Sequence, residues 1–399
     1  MHSKVNLYGT LAFLWLSHLI VDVMIGIWPI YKTMAHMDLA LAGLIAGVCA
    51  FLGEGMQVFF GMLSDKGYRK SLICAGVVVA SSSLMFPHVE SPIFLFLLYL
   101  LTCFGSGAFH PAAVSHMGML TTRRKSLYIA LFASGGALGL ASSQIIFSYF
   151  YQRLDGSTAY LLLPLSLIIL LIALYPFAKG PALLKTEKKP ISWDGVKLFF
   201  ASKDLINLYF CQVCISSIFW GIIFLLPDLL ISRGYDDWIC FGGGHFFFII
   251  GGALMMIPSG YIADRYSAKS VLVSAVIVGT ILFYTFYFIP LLPPLFTLIL
   301  LFFMGAALGI VNPISVAHGH RLMPSHPGLI SAIMMGLAFC VSESIGPGGG
   351  GFLSEFFEED AAAKALAIIG LLSIPALRNA LALSSGREVA SDQNIEYAA

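Results

Sequence analysis

Carboxylates stand inside long apolar runs of this chain, among them Asp22, Glu54 and Glu343. A charge at the centre of a bilayer costs about 3 kcal/mol or more, so an acid kept there either carries a proton or meets a partner. His18 lies four residues before Asp22. On a helix the two share a face, and the imidazole can tune the carboxylate or exchange a proton with it. The stretch GSGAFHPAAVSHMG adds His110 and His116, groups that change charge near neutral pH. Six residues apart, about 600° of helix, they point roughly 120° away from each other, so they do not clamp one ion without donors from other helices. His18, Asp22, Glu54, His110, His116 and His318 nevertheless suit a divalent transition-metal ion. A metal as cargo therefore stays open beside proton chemistry.

The elements that must position these groups are membrane helices. Of 399 residues, 58% are hydrophobic and only 11% charged, far from the balance of a soluble domain. A spanning helix needs roughly 20 apolar residues, and such stretches occur at 7–31, 40–63, 72–89, 92–118, 127–151, 158–178, 206–231, 238–262, 271–289, 293–318, 328–353 and 362–378. The first reads as a retained helix, since no small-residue cleavage region follows it. Assigning Lys and Arg to alternate connections puts eighteen on one side and Lys32, Arg153, Arg233 and Lys364 on the other. The excess marks the cytoplasmic side, with both termini there. No Lys or Arg is expected near the middle of any span, Lys364 and Arg378 standing at the ends of the last, which weighs against a simple anionic substrate. Cys211 and Cys214 form a single C-x-x-C without a second pair and read as buried small residues.

The longest polar connection divides the chain into a six-helix half at 1–178, a cytoplasmic linker at 179–205, a second six-helix half at 206–384 and a cytoplasmic tail at 385–399. In the linker, Trp193, Val196, Phe199 and Phe200 suggest a helix lying on the membrane surface. Internal similarity supports the division. GMLSDKGYRKS at Gly61 to Ser71 recurs as GYIADRYSAKS at Gly260 to Ser270, an offset of 199. GAFHPAAVSHMGML from Gly107 recurs as GIVNPISVAHGHRL from Gly309, an offset of 202. Pro111 and Pro313 then read as paired interruptions of the fourth and tenth helices, and such pairs mark the moving, cavity-lining parts of transporters.

The Gly61 to Lys70 loop resembles the signature loop of the major facilitator superfamily, and twelve helices around a central linker fit that family across the whole chain. LSHLIVD at Leu16 to Asp22, FHP at Phe109 to Pro111 and SGGALG at Ser134 to Gly139 resemble its fosmidomycin-resistance branch, whose members are taken to be proton-driven drug exporters. After FHP the uncharged Ala112, Ala113, Val114 and Ser115 depart from that branch. The resemblance implies an all-α major facilitator fold in the inner membrane, multi-pass, working as a monomer by alternating access. It also implies a conformational latch built from Gly61, Asp65, Arg69 and Lys70 and, in the second half, Asp264 and Arg265.

The expected function is proton-coupled movement of a small molecule, with export by antiport leading and import or divalent-metal transport as alternatives. Asp22 with His18 is the expected proton carrier. Glu54 and Glu343 serve as substrate or proton acids, and His110 and Asn312 as polar substrate contacts. The partners are a small solute, protons and the bilayer, without nucleic acid. No cofactor or resident metal is expected, because neither glycine cluster, Gly242 to Gly244 or Gly346 to Gly351, continues into a phosphate-binding motif and H-E-x-x-H is absent. An enzyme is not expected.

Overall fold

The computed structural model describes residues 2–120, 125–177 and 193–384. Its helices, in chain order, are α1 (His2–Ile25), α2 (Ile27–Met34), α3 (Leu39–Gly55), α4 (Gln57–Leu63), α5 (Arg69–Ala80), α6 (Pro92–Leu120), α7 (Lys125–Arg153) and α8 (Leu162–Leu174). They continue as α9 (Trp193–Ala201), α10 (Lys203–Ser232), α11 (Gly244–Arg265), α12 (Ala268–Phe288), α13 (Pro294–Gly309) and α14 (Val311–Leu322). The last are α15 (Pro327–Ser331), α16 (Ala338–Glu343), α17 (Gly350–Ser354), α18 (Ala361–Gly370) and α19 (Ser373–Ala382). Among the described residues there is no strand. In lipid every backbone N–H and C=O must be satisfied within its own segment, and helices meet that requirement.

Ten stretches are long and apolar enough to cross a membrane. One of them, Leu39–His88, has 50 residues, about twice a bilayer's need, and turns at Ser64–Tyr68, where Gly67 holds φ 103°. The shorter apolar stretch Thr158–Leu174 supplies the remaining crossing, so the twelve helices expected of the fold are accommodated.

The chain forms two compact units: Met1–Lys188 with Leu226–Phe246, and Lys189–Leu225 with Phe247–Ala399. The sequence division at 178 and 206 differs from this chiefly in one respect. The end of α10 and the start of α11 group with the first unit. Of the expected linker, 179–192 lie outside the described residues, as does the tail 385–399. In α9, Phe199 is buried and Phe200 is exposed.

Small residues set the helix packing that matters for the site. A Cβ on Gly135 would come within 2.7 Å of the Trp15 carbonyl oxygen, and one on Gly139 would strike the backbone of Leu19. These glycines let α7 lie directly against α1. The paired prolines behave differently. α6 runs unbroken through Pro111, whereas α13 ends at Gly309 and α14 begins at Val311. Gly309 is four residues before Pro313, and a proline ring clashes with the carbonyl at that position.

Candidate functional site

α1, α6 and α7 bring a titratable cluster together in the first unit. Asp22 on α1 lies between two imidazoles: its Oδ2 is 3.5 Å from His18 Nε2, and its Oδ1 is 3.3 Å from His110 Nε2. The opposite nitrogen of each ring is fixed by a backbone carbonyl. His18 Nδ1 lies 2.9 Å from the Phe132 oxygen, and His110 Nδ1 lies 3.0 Å from the Ser106 oxygen one turn earlier on α6. A carbonyl only accepts, so both Nδ1 atoms carry hydrogen. In its neutral form each ring therefore turns a lone pair toward the Asp22 carboxylate. Two acceptors facing each other need a proton between them. The arrangement is satisfied when protons sit on the imidazoles or on Asp22 and is strained when all three are deprotonated.

The surroundings hold this geometry. The Phe132 ring stacks on His18 at 4.2 Å, and the His18 and His110 rings meet edge-on at 5.1 Å. His18 is buried, while the Asp22 and His110 side chains remain 17% and 26% exposed. Gly136 of the SGGALG stretch provides the space. A Cβ there would lie 2.6 Å from Asp22 Oδ2 and would collide with His18 Nε2.

Glu54 on α3 extends the cluster. Ser106 Oγ is 3.1 Å from His110 Nδ1 and makes a long contact of 3.5 Å to Glu54 Oε1. Gln57, one turn along at the start of α4, donates to Glu54 Oε2. A chain of polar atoms thus runs from Asp22 through His110 and Ser106 to Glu54. His18, Asp22 and His110 each offer a ligand atom within 4.8 Å of the others, so a divalent ion is chemically conceivable at the same place. His116 is not part of it; its ring packs edge-on to Phe177 at 5.4 Å.

Glu343 and Asn312 belong to the second unit. Glu343 ends α16 where the helix continues as the π-helical stretch Ser344–Gly349, and is half-buried. Asn312 opens α14, and its buried side-chain nitrogen has no hydrogen-bond partner among the described residues.

The loop residues fall into two groups. Asp65 and Arg69 approach to 4.0 Å, and Arg69 Nε donates to Ser115 Oγ at 3.1 Å. In the second copy Asp264 pairs with Arg321 at 3.1 Å, while Arg265 reaches toward Tyr261 at 3.4 Å and lies over the Tyr266 ring at 5.6 Å. Lys70 donates to the carbonyl of Tyr175 at 3.0 Å, just past α8. Lys269 donates to the carbonyl of Leu383 at 2.6 Å, just past α19. Each lysine caps the C-terminal end of the last helix of its half, where cations are favoured. Gly61 sits against Pro111 with room for a Cβ at 3.8 Å.

One expectation fails. Lys32 lies inside the apolar stretch Leu7–Met34 and is 1% exposed. The first membrane helix continues three residues beyond Tyr31, to the end of α2 at Met34, and the lysine is held by Asp228, with a second hydrogen bond to Thr33 Oγ1 at 3.0 Å. Asp228 itself stands in an apolar run after Pro227, so an acid in the seventh span was a readable signal. Ser106 and Phe132 were not readable, because they act largely through backbone oxygens. Gln57 follows Glu54 by three residues and was visible by helical spacing.

Solved structures place the fold. A mutant form of the nucleoside transporter NupG matches with a TM-score of 0.75 and 15% identity over 95% of this chain and 99% of that one. A bacterial homolog of the human lysosomal transporter Spinster, inward-facing and unoccupied, matches with a TM-score of 0.74 and 13% identity over 96% of each chain. The occupied form of the same homolog gives 0.75 and 12% over 95% and 96%. No curated protein matches at the sequence level. The family model for the Major Facilitator Superfamily covers residues 11–347, and with twelve apolar crossings built from repeated halves the chain belongs to that superfamily of membrane transporters.

Proposed function

We propose that this protein is a proton-coupled secondary transporter of a small organic solute, working by export through antiport in the cytoplasmic membrane. The observation that carries the proposal is Asp22 between two imidazoles whose other nitrogens are committed to carbonyls. The closed cluster holds a proton well, and parting its helices or hydrating Asp22 releases it. Glu54, linked through Ser106, is the adjacent acid to which a cationic or hydrogen-bonding solute couples that release. Glu343 and Asn312 are substrate contacts in this reading. Export rests on the likeness of LSHLIVD, FHP and SGGALG to drug exporters. The topology follows the lysine and arginine bias, which puts both termini in the cytoplasm.

A thermal-shift screen of nucleosides, drugs, other metabolites and metal ions at two pH values supplies a solute. Protein in liposomes loaded with a pH-sensitive dye then reports protons moved by a gradient of that solute. Asp22→Asn is expected to keep binding and lose proton movement. Full solute-driven proton movement by this variant would overturn the assignment.

A second reading has its own observation: the three donor atoms within 4.8 Å of one another suit a divalent transition-metal ion as cargo. Calorimetry with Zn(II) and Ni(II) separates the two. Metal transport requires binding that collapses in His18→Ala and His110→Ala, whereas the proton reading expects none.

A further inference from the structure

We propose that a groove in the first unit, where the third membrane crossing turns into the fourth, binds a phospholipid with a primary-amine headgroup. The proposal is independent of what the protein carries and of which group carries the proton.

The groove follows from a change of helix type. α5 gives way at Ser81 to a 3₁₀ helix that runs to His88 and contains Pro87. A 3₁₀ helix is more tightly wound than an α-helix and rarely holds for more than about four residues without support. Here it is fixed to α6 near its start, where Ser82 Oγ lies 3.0 Å from both the Leu98 carbonyl oxygen and Thr102 Oγ1. Past that attachment Met85 and His88 stand across from the first turns of α6, and an open groove of about 550 Å³ lies between them.

One wall of the groove is apolar. Phe94, Leu97, Leu98 and Leu101 recur at the three- and four-residue spacing of a single face of α6. They cover about 10 Å of helix, most of the roughly 15 Å depth of one leaflet's hydrocarbon. Phe94, Leu97 and Leu101 are exposed, so in a membrane an acyl chain meets them.

The mouth of the groove is polar, lined by His88, Glu90 and Ser91. His88 Nε2 accepts from the Ala159 N–H at 3.3 Å, so the neutral ring carries its hydrogen on Nδ1 and keeps a donor to give. Glu90 is exposed, and among the described residues no cation pairs with it. Neither lysine nor arginine lines the groove.

This charge pattern selects the headgroup. An anionic headgroup meets Glu90 with like charge, and a quaternary ammonium has no N–H to donate. A primary ammonium joined to a phosphate uses every group: its N–H bonds go to the Glu90 carboxylate, and the phosphate oxygens accept from Ser91 and His88. The acyl chain continues along the stripe of α6. By the lysine and arginine bias this connection is external, so the lipid comes from the outer leaflet.

The test uses full-length protein in liposomes doped with a phospholipid bearing a photoreactive diazirine on one acyl chain, with either an ethanolamine or a choline headgroup. Peptide mass spectrometry reads the labelling of residues 85–101. The ethanolamine probe is expected to label this stretch at least about threefold more than the choline probe, the scale of a hydrogen-bonded ion pair at a surface. Glu90→Gln should bring it down to the choline level, whereas Glu355→Gln, at another exposed acid, should leave the ratio unchanged. Leu97→Trp, which fills the groove and keeps Glu90, should lower labelling by both probes. Equal labelling by the two probes in wild type, or a ratio that survives Glu90→Gln, would mean ordinary bilayer contact and overturns the proposal. Unlabelled dodecylamine, which has the amine without the phosphate, should compete less well than unlabelled phosphatidylethanolamine. Equal competition would assign the groove to an amphipathic amine and overturns the lipid. Asp22→Asn leaves the groove intact, so failure of the proton assignment is read separately.

Discussion

The two halves share a scaffold and divide its chemistry. His110 and Asn312 occupy the same place in the repeat, each followed by proline. Yet His110 faces Asp22 at 3.3 Å, while the Asn312 nitrogen is buried without a hydrogen-bond partner among the described residues. Displaced by the repeat offsets, the position of Asp22 falls on Gly221 to Phe224 and that of Glu54 on Ala253 to Met256, all uncharged. In the other direction Glu343 falls on Ala141 to Gln144 and Asp228 on Gly26 to Pro29, so neither acid has a counterpart in the first half. The lysines of the loop, by contrast, do the same work twice. Duplication kept the parts that hold helices together and let the titratable groups go their own way in each half.

The strongest way to break this asymmetry is to fill the space it depends on. Gly136→Ala places a methyl group against both His18 and Asp22, and neither can move aside and keep its partners. Proton-coupled transport is expected to fall at least about tenfold, the scale of a misplaced catalytic contact. The folded protein should survive, because the methyl meets side chains and not the α1 backbone. Comparison with Gly139→Ala, whose methyl would meet the backbone of Leu19 and so lower thermal stability, separates the two effects. Retained coupling in Gly136→Ala would show that the cluster does not need its present geometry.

A smaller effect comes from making the first half resemble the second. His110→Asn removes one imidazole and leaves His18 beside Asp22, so proton movement per solute is expected to drop while solute binding persists. Asn312→His, the reciprocal change, should add no proton movement, since no acid aligns with Asp22 in that half. Solute-driven proton flux in liposomes measures both. A gain from Asn312→His would mean that the second half holds a latent site of its own.

The fold was largely readable, because bilayer-length apolar runs and a repeat near 200 residues leave few architectures open. The pairing of His18 with Asp22 was also readable, as helical spacing alone puts both on one face. His110 joining them depends on how α6 packs against α1, which no spacing within one helix encodes. Lys32 was misplaced because a lysine at the end of an apolar run looks like a loop residue until a buried partner is found, and Asp228 lies 196 residues away. The paired prolines show a related limit. Identical residues at Pro111 and Pro313 give an unbroken helix in one half and a break in the other, so neighbours decide what a proline does.

The smallest effect concerns what the halves have in common. Lys70→Met and Lys269→Met each remove a charged donor from a helix-end carbonyl, a loss of about 1.5–3 kcal/mol if the carbonyl is left bare and less where water reaches it. Both lysines are half-buried, so the lower part of that range applies and the two variants should be destabilised alike. Their loops reach this end by different means. Gly67 takes φ 103° to turn the chain, whereas Ser267 at the second loop is extended and caps α12 by accepting from Ser270 N. If thermal unfolding shows equal losses for the two lysines, the helix-end bond is the shared element and the turn is free to vary. If Lys70→Met is much the worse, the extra contact of Lys70 with the Phe177 ring at 5.5 Å carries weight that the second half lacks, and the scaffold is less symmetric than its repeat.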